Sequence, residues 1–162
     1  MLQVLKKRMA TNGLDLPGFA RELVQKWSDG SIKLYVIFRS LHYRNKNHQL
    51  FMDGAYIPLM SEGDHKEHVC AYARKGEGKV VLVVVPRFLM HLIQMDEMPF
   101  GKKTWGDSWL VIPPEVYAMR FNNIFTDETI ELVERDGKPA LALEQVFANF
   151  PVAMLEGKVE VL

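Results

Sequence analysis

The chain has 162 residues, 48% of them apolar, and its 20 basic side chains balance 20 acidic ones. That length holds one domain, or one domain with an appendage, around a packed core; zero net charge leaves no global field to draw in nucleic acid, an anionic membrane or a polyanionic substrate. A single cysteine, Cys70, excludes an internal disulfide, and no apolar run approaches the roughly 20 residues that span a bilayer, so a reducing, cytoplasmic setting is expected.

Met1 to about Trp27 reads as helical with a break at Thr11-Asn12-Gly13. Pro17 sits where a first helical turn tolerates it, and Phe19, Leu23, Val24 and Trp27 follow at helical spacing. After the turn Ser28-Asp29-Gly30-Ser31, the residues Leu34, Ile37, Phe38 and Leu41 repeat at i, i+3, i+4 and i+7, which predicts a helix from Ser31 to Asn47 with that stripe as its apolar face. Arg39, His42, Arg44 and Lys46 gather toward its C-terminal half, where positive charge suits the helix dipole. The character of the chain changes near residue 50, and a boundary is expected there.

From Phe51 onward the pattern is of short strands and turns. Ala55 to Leu59 and Val69 to Ala73 read as strands, with Arg74 to Gly78 as the turn into Lys79-Val80-Val81-Leu82-Val83-Val84-Val85-Pro86. Six consecutive apolar residues, five of them Val, cannot alternate between a wet and a dry face, so this strand must be central and covered on both sides. Burying them is worth roughly 9 to 18 kcal/mol before entropy, at about 1.5 to 3 kcal/mol each. Pro86 is expected to stop the pairing. Leu89 to Ile93 suggests a brief helix and Asp96 to Asp107 a surface loop; Ser108 to Ile112, Tyr117 to Phe121, Thr129 to Glu134, Ala140 to Leu143 and Val152 to Leu155 read as further strands. Asp136-Gly137 marks a hairpin. Many short strands with frequent turns predict a mainly β fold, an antiparallel sandwich preceded by two or three helices.

Recognisable chemistry is sparse. Asp64, His65, Glu67, His68 and Cys70 hold metal-ligand types within seven positions but match no closed zinc spacing, so a solvated turn is expected, with no metal and no cofactor. Cys70 reads as a half-buried structural thiol. Arg74-Lys75-Gly76-Glu77-Gly78-Lys79 lacks the aromatic residues of an RNA-binding strand. Trp105 and Trp109, with Lys102 and Lys103, could form a sugar-stacking ledge or, more simply, cap a sheet. Most carboxylates, among them Asp29, Asp53, Glu62, Asp64, Glu77, Asp107 and Asp136, sit in turns, and nothing marks a catalytic pair.

Six separated blocks carry a resemblance: Asp29-Gly30-Ser31-Ile32-Lys33-Leu34-Tyr35, Leu50 to Leu59, Glu67-His68-Val69-Cys70-Ala71-Tyr72-Ala73-Arg74, Val83-Val84-Val85-Pro86-Arg87, Trp105-Gly106-Asp107-Ser108 and Phe150 to Leu155. In order and spacing they resemble the C-terminal region of maltooligosyltrehalose synthase, a member of the alpha-amylase superfamily. The resemblance implies an enzyme that isomerises the reducing-end α-1,4 bond of a maltooligosaccharide into an α,α-1,1 bond in trehalose biosynthesis. It also implies that residues 1–48 match the last helices of a catalytic barrel and residues 49–162 a C-terminal β-sandwich.

The superfamily nucleophile lies in an Arg-x-Asp segment, which this sequence lacks, and 162 residues leave no room for a barrel of roughly 250. The chain is therefore expected to be a C-terminal piece of a longer polypeptide, inactive alone, with no catalytic residue. Its expected partners are the barrel of the same parent and, through the parent, maltooligosaccharide; self-association through exposed helix faces is a further expectation. Lys33 and Arg87 recur in the resemblance, with helix-to-sheet ion pairing as their expected role. The alternative is a stand-alone carbohydrate-binding sandwich that uses Trp105 and Trp109.

Overall fold

The computed structural model describes residues 2–9, 15–76, 78–95 and 97–159, and the expected helix break at Thr11-Asn12-Gly13 lies outside them. Helices α1 (Leu2–Met9) and α2 (Leu16–Gln25) come first. The Asp15 carboxylate opens α2 by accepting from the Gly18 amide at 3.1 Å, with Pro17 in the first turn. Trp27 falls in a one-turn 3-10 helix instead of α2 and is left half-exposed.

Helix α3 (Ser31–Lys46) has close to the expected bounds but presents a different face. Ser31 and Tyr35 are its buried residues, whereas Ile37 and Leu41 are 55% and 51% exposed. The reason is hydrogen bonding. The Tyr35 hydroxyl donates to the Phe125 carbonyl at 2.6 Å, and the Arg39 guanidinium donates to the Ile124 carbonyl through Nε at 2.9 Å and also through Nη2. These bonds point the polar residues inward, since two loop carbonyls would otherwise go unpaired. A short helix α4 (His48–Met52) follows.

The strands are β1 (Ala55–Leu59), β2 (Ser61–Glu62), β3 (Val69–Gly76), β4 (Lys79–Pro86), β5 (Trp109–Val111), β6 (Arg120–Asn123), β7 (Thr129–Glu131), β8 (Val133–Arg135), β9 (Lys138–Ala142) and β10 (Ala153–Lys158). They form a six-stranded sheet in the order β1-β3-β4-β10-β6-β7 and a four-stranded sheet in the order β2-β5-β9-β8. Every pairing is antiparallel, which makes the expected sandwich. Between β8 and β9, Asp136 and Gly137 take φ of 49° and 71°, the two positive values a two-residue hairpin turn requires.

The larger sheet is a middle layer. On its inner face Val80, Leu82 and Val84 of β4 join Leu110, Phe121, Ile130 and Leu141 in the core between the sheets. On its outer face Val81 and Met154 join Leu5, Phe19, Leu23, Tyr35 and Phe150 beneath the helices. This double cover is why β4 is apolar at every step from Val80 to Val85.

Several sequence expectations need correction. β3 runs on through Arg74 and Lys75 to Gly76, because β4 continues opposite it as far as Lys79. The ladder of β3 and β4 does end at Pro86, which pairs with Val69, and one bond follows it, from the Arg87 amide to the His68 carbonyl at 2.8 Å. The expected loop from Asp96 to Asp107 contains a helix, α5 (Gly101–Trp105). Its Trp105 is fully buried, with the ring 4.7 Å from that of Phe147 and Nε1 donating to the Pro99 carbonyl at 2.7 Å. The expected strand from Thr129 to Glu134 is two strands in different sheets, β7 and β8. β6 starts at Arg120, after a 3-10 turn at Pro114–Val116, and Leu143 opens a short helix, α6 (Leu143–Val146).

Candidate functional site

The residues singled out from sequence do not converge. Trp105 shows no face to solvent, so it cannot serve as half of a sugar ledge. Trp109 is half-buried on β5 with the Arg135 guanidinium 5.8 Å from its ring centroid. Trp105 belongs to the core between the sheets.

His65 and His68 lie with ring centroids 6.1 Å apart, yet no group of three metal-ligating side chains forms among the described residues. Cys70 is exposed, against the expected half-buried thiol. It stands opposite Val85 on the outer face of the larger sheet. Arg87, just past the end of β4, bonds to the one-turn 3-10 helix Lys66–His68 that precedes β3, through Nε to the Glu67 carbonyl at 2.8 Å and through Nη2 to its carboxylate at 3.7 Å. Lys33 is exposed and has no ion-pair partner among the described residues.

What the fold does assemble is a groove of about 480 Å³ between α3 and the outer face of the larger sheet. Val36, Ser40, Leu41 and Arg44 form the helix wall, one turn apart in two rows. The floor comes from Val83, Val85 and Met154. At the far side Tyr56 and Tyr72 stack with centroids 5.0 Å apart, and Tyr56 is 59% exposed. Arg74 closes one end; its Nη2 donates to the Phe51 carbonyl at 2.7 Å, while its buried Nε has no acceptor among the described residues.

Sequence reading missed this site because its residues come from six elements, α3, α4, β1, β3, β4 and β10. The available signal was the alternation in β3, where Cys70, Tyr72 and Arg74 at every second position share one face. Treating Arg74 as a turn residue hid it.

Charge around the groove is one-sided. None of the residues lining it is acidic. Tyr43, on the buried side of α3, is raised well above the usual phenol range by burial and by its bond to Glu156. The carboxyls of Glu22, Asp29 and Glu97 are lowered by hydrogen bonds from Arg8, Ser31 and Lys103 respectively. They are stabilised as anions, the opposite of what a general acid needs.

No family model matches the chain, and no curated protein does. Among solved structures, it superposes on maltooligosyltrehalose synthase from Arthrobacter ramosus with a TM-score of 0.58 and 21% identity, over 86% of this chain. The fold is shared. A point mutant of the same synthase matches with the same values. The match covers 16% of the synthase chain, so this chain spans a small part of that enzyme's length.

Proposed function

We propose that this chain is the C-terminal, non-catalytic part of a maltooligosyltrehalose synthase, with residues 1–48 serving as late helices of the barrel and residues 49–162 as the sandwich that braces it. The parent would isomerise the reducing-end α-1,4 bond of maltooligosaccharides to an α,α-1,1 bond. The observation that carries this reading is the shared fold, which takes in 86% of this chain and 16% of the synthase. One further observation supports it: Ile37 and Leu41 turn away from the core on the helix that would face the barrel.

The test is complementation. The barrel of the Arthrobacter ramosus enzyme, expressed without the region matched here, is mixed with this chain and given maltopentaose. The chain alone should form no non-reducing product, and the mixture should form more than the barrel alone. Turnover by the chain alone, or no gain on mixing, would overturn the proposal.

A further inference from the structure

We propose that the groove between α3 and the uncovered corner of the larger sheet docks an acidic amphipathic helix of a protein partner. In the reading above that partner is the catalytic barrel, and to that extent the inference rests on it; what is added is where the contact lies and what chemistry it demands.

The register builds the face. Tyr56 pairs with Arg74, Pro58 with Tyr72, Tyr72 with Val83 and Cys70 with Val85, so all of these lie on the side of the sheet that carries the helices. The helices cover Val81 and Met154 but leave Tyr56, Pro58 and Cys70 exposed. The recess continues onto α3, where Leu41 lines it and Ile37 stands one turn earlier. An exposed apolar residue alone means little, but a concave apolar recess joined to an exposed apolar helix stripe has the form of a helix-binding groove. Addition of a strand at the sheet edge is the other common mode, and Pro58 on the edge strand β1 opposes it.

Charge selects the occupant. α3 contains no acidic residue, and it carries Lys33, Arg39, His42, Arg44 and Lys46. Arg39 is committed to the Ile124 carbonyl, whereas the exposed Arg44 on the groove wall has no ion-pair partner among the described residues. A second copy docking here through the same face would set cation against cation, which costs affinity. A helix with aliphatic residues on one side and carboxylates on its flanks satisfies both the recess and its rim.

Cys70 supplies the readout, because it is exposed at the end of this face and is the only thiol. The probes are two helix-forming peptides with leucines at i, i+3, i+4 and i+7, one with glutamates and one with lysines elsewhere. The glutamate peptide should slow thiol labelling of Cys70 at least tenfold with a salt-sensitive Kd, and the lysine peptide should not. Arg44→Glu, at an exposed position that leaves the fold intact, should weaken the glutamate peptide at least tenfold, while Lys138→Ala on the smaller sheet should not. Equal protection by both peptides, protection by neither, or an Arg44→Glu variant that binds normally would overturn the inference. So would protection that rises with protein concentration alone, which would mark a second copy, or protection by phosphatidylserine vesicles but not by peptide. If the barrel complements in the mixing assay and Arg44→Glu leaves that gain unchanged, the groove inference fails and the functional reading stands. If the glutamate peptide binds and no barrel complements, the reverse holds.

Discussion

The Tyr43 hydroxyl donates a 2.6 Å hydrogen bond to the Glu156 carboxylate, which ties α3 to β10 across the outer face of the larger sheet. Lys79 lies 3.8 Å from the same carboxylate. Replacing Tyr43 with Phe removes the donor and leaves a half-covered carboxylate short of one partner. A loss of about 1–3 kcal/mol is expected in urea unfolding. Glu156→Gln keeps an acceptor and should cost less. Equal stability of wild type and Tyr43→Phe would show that the bond adds nothing.

Tyr35 sets an alkaline limit. Burial lifts its phenol from 10.0 to about 12. Because the folded value is the higher one, the contribution to stability is whole below pH 10.0 and is lost as pH rises through about 12. Phenolate absorbance from this residue should therefore appear together with loss of the far-ultraviolet helix signal. In Tyr35→Phe that coupling should vanish, at the expense of the bond to the Phe125 carbonyl and about 1–2 kcal/mol at neutral pH.

Leu82 and Val85 lie three residues apart on β4 in unlike surroundings. Leu82 is fully buried between the sheets, and Val85 lines the open groove. Leu82→Ala should cost about 2–5 kcal/mol. Val85→Ala should cost distinctly less, because the groove is already open to water. Comparable losses from denaturant melts of the two variants would contradict the layer assignment.

Glu22 joins α1 to α2 through Arg8 at 2.7 Å and accepts from Lys26 at 3.1 Å. Hydrogen bonding from Arg8, then from Lys26, lowers its carboxyl from 4.5 to about 2. A lowered folded value means the stabilisation is present above pH 4.5 and lost as pH falls through about 2. Glu22→Gln should melt earlier than wild type at neutral pH and converge with it in acid. A difference that persisted at pH 2 would point to packing instead.

How far the sequence revealed the molecule depends on whether a signal was local. The Val80 to Val85 run announced a central strand, because an unbroken apolar stretch has one explanation in a sheet covered twice. α3 was found by its period, yet its orientation was misjudged. Hydropathy ranks Leu34, Ile37 and Leu41 above Tyr35 and Arg39, and it is blind to carbonyls at Ile124 and Phe125 some 85 to 90 positions away that claim the polar pair. Trp105 was hidden for a similar reason. Gly101, Lys102, Lys103 and Gly106 look like a loop until Phe147 arrives to pack the indole. The groove needed Arg44, Tyr56, Tyr72 and Val85 side by side, which takes the register of β1, β3 and β4 together with the packing of α3 over them.

The position of β10 has a consequence for how the chain is made. It is the last strand among the described residues and lies between β4 and β6, so a nascent chain leaving the ribosome carries its valine-rich hairpin half-paired until residues 153–158 emerge. Closing that gap spans nearly seventy positions, which makes it a slow step with a sticky intermediate. Synthesis at low temperature, or a chaperone that shields bare sheet edges, should raise the yield of correctly folded molecules.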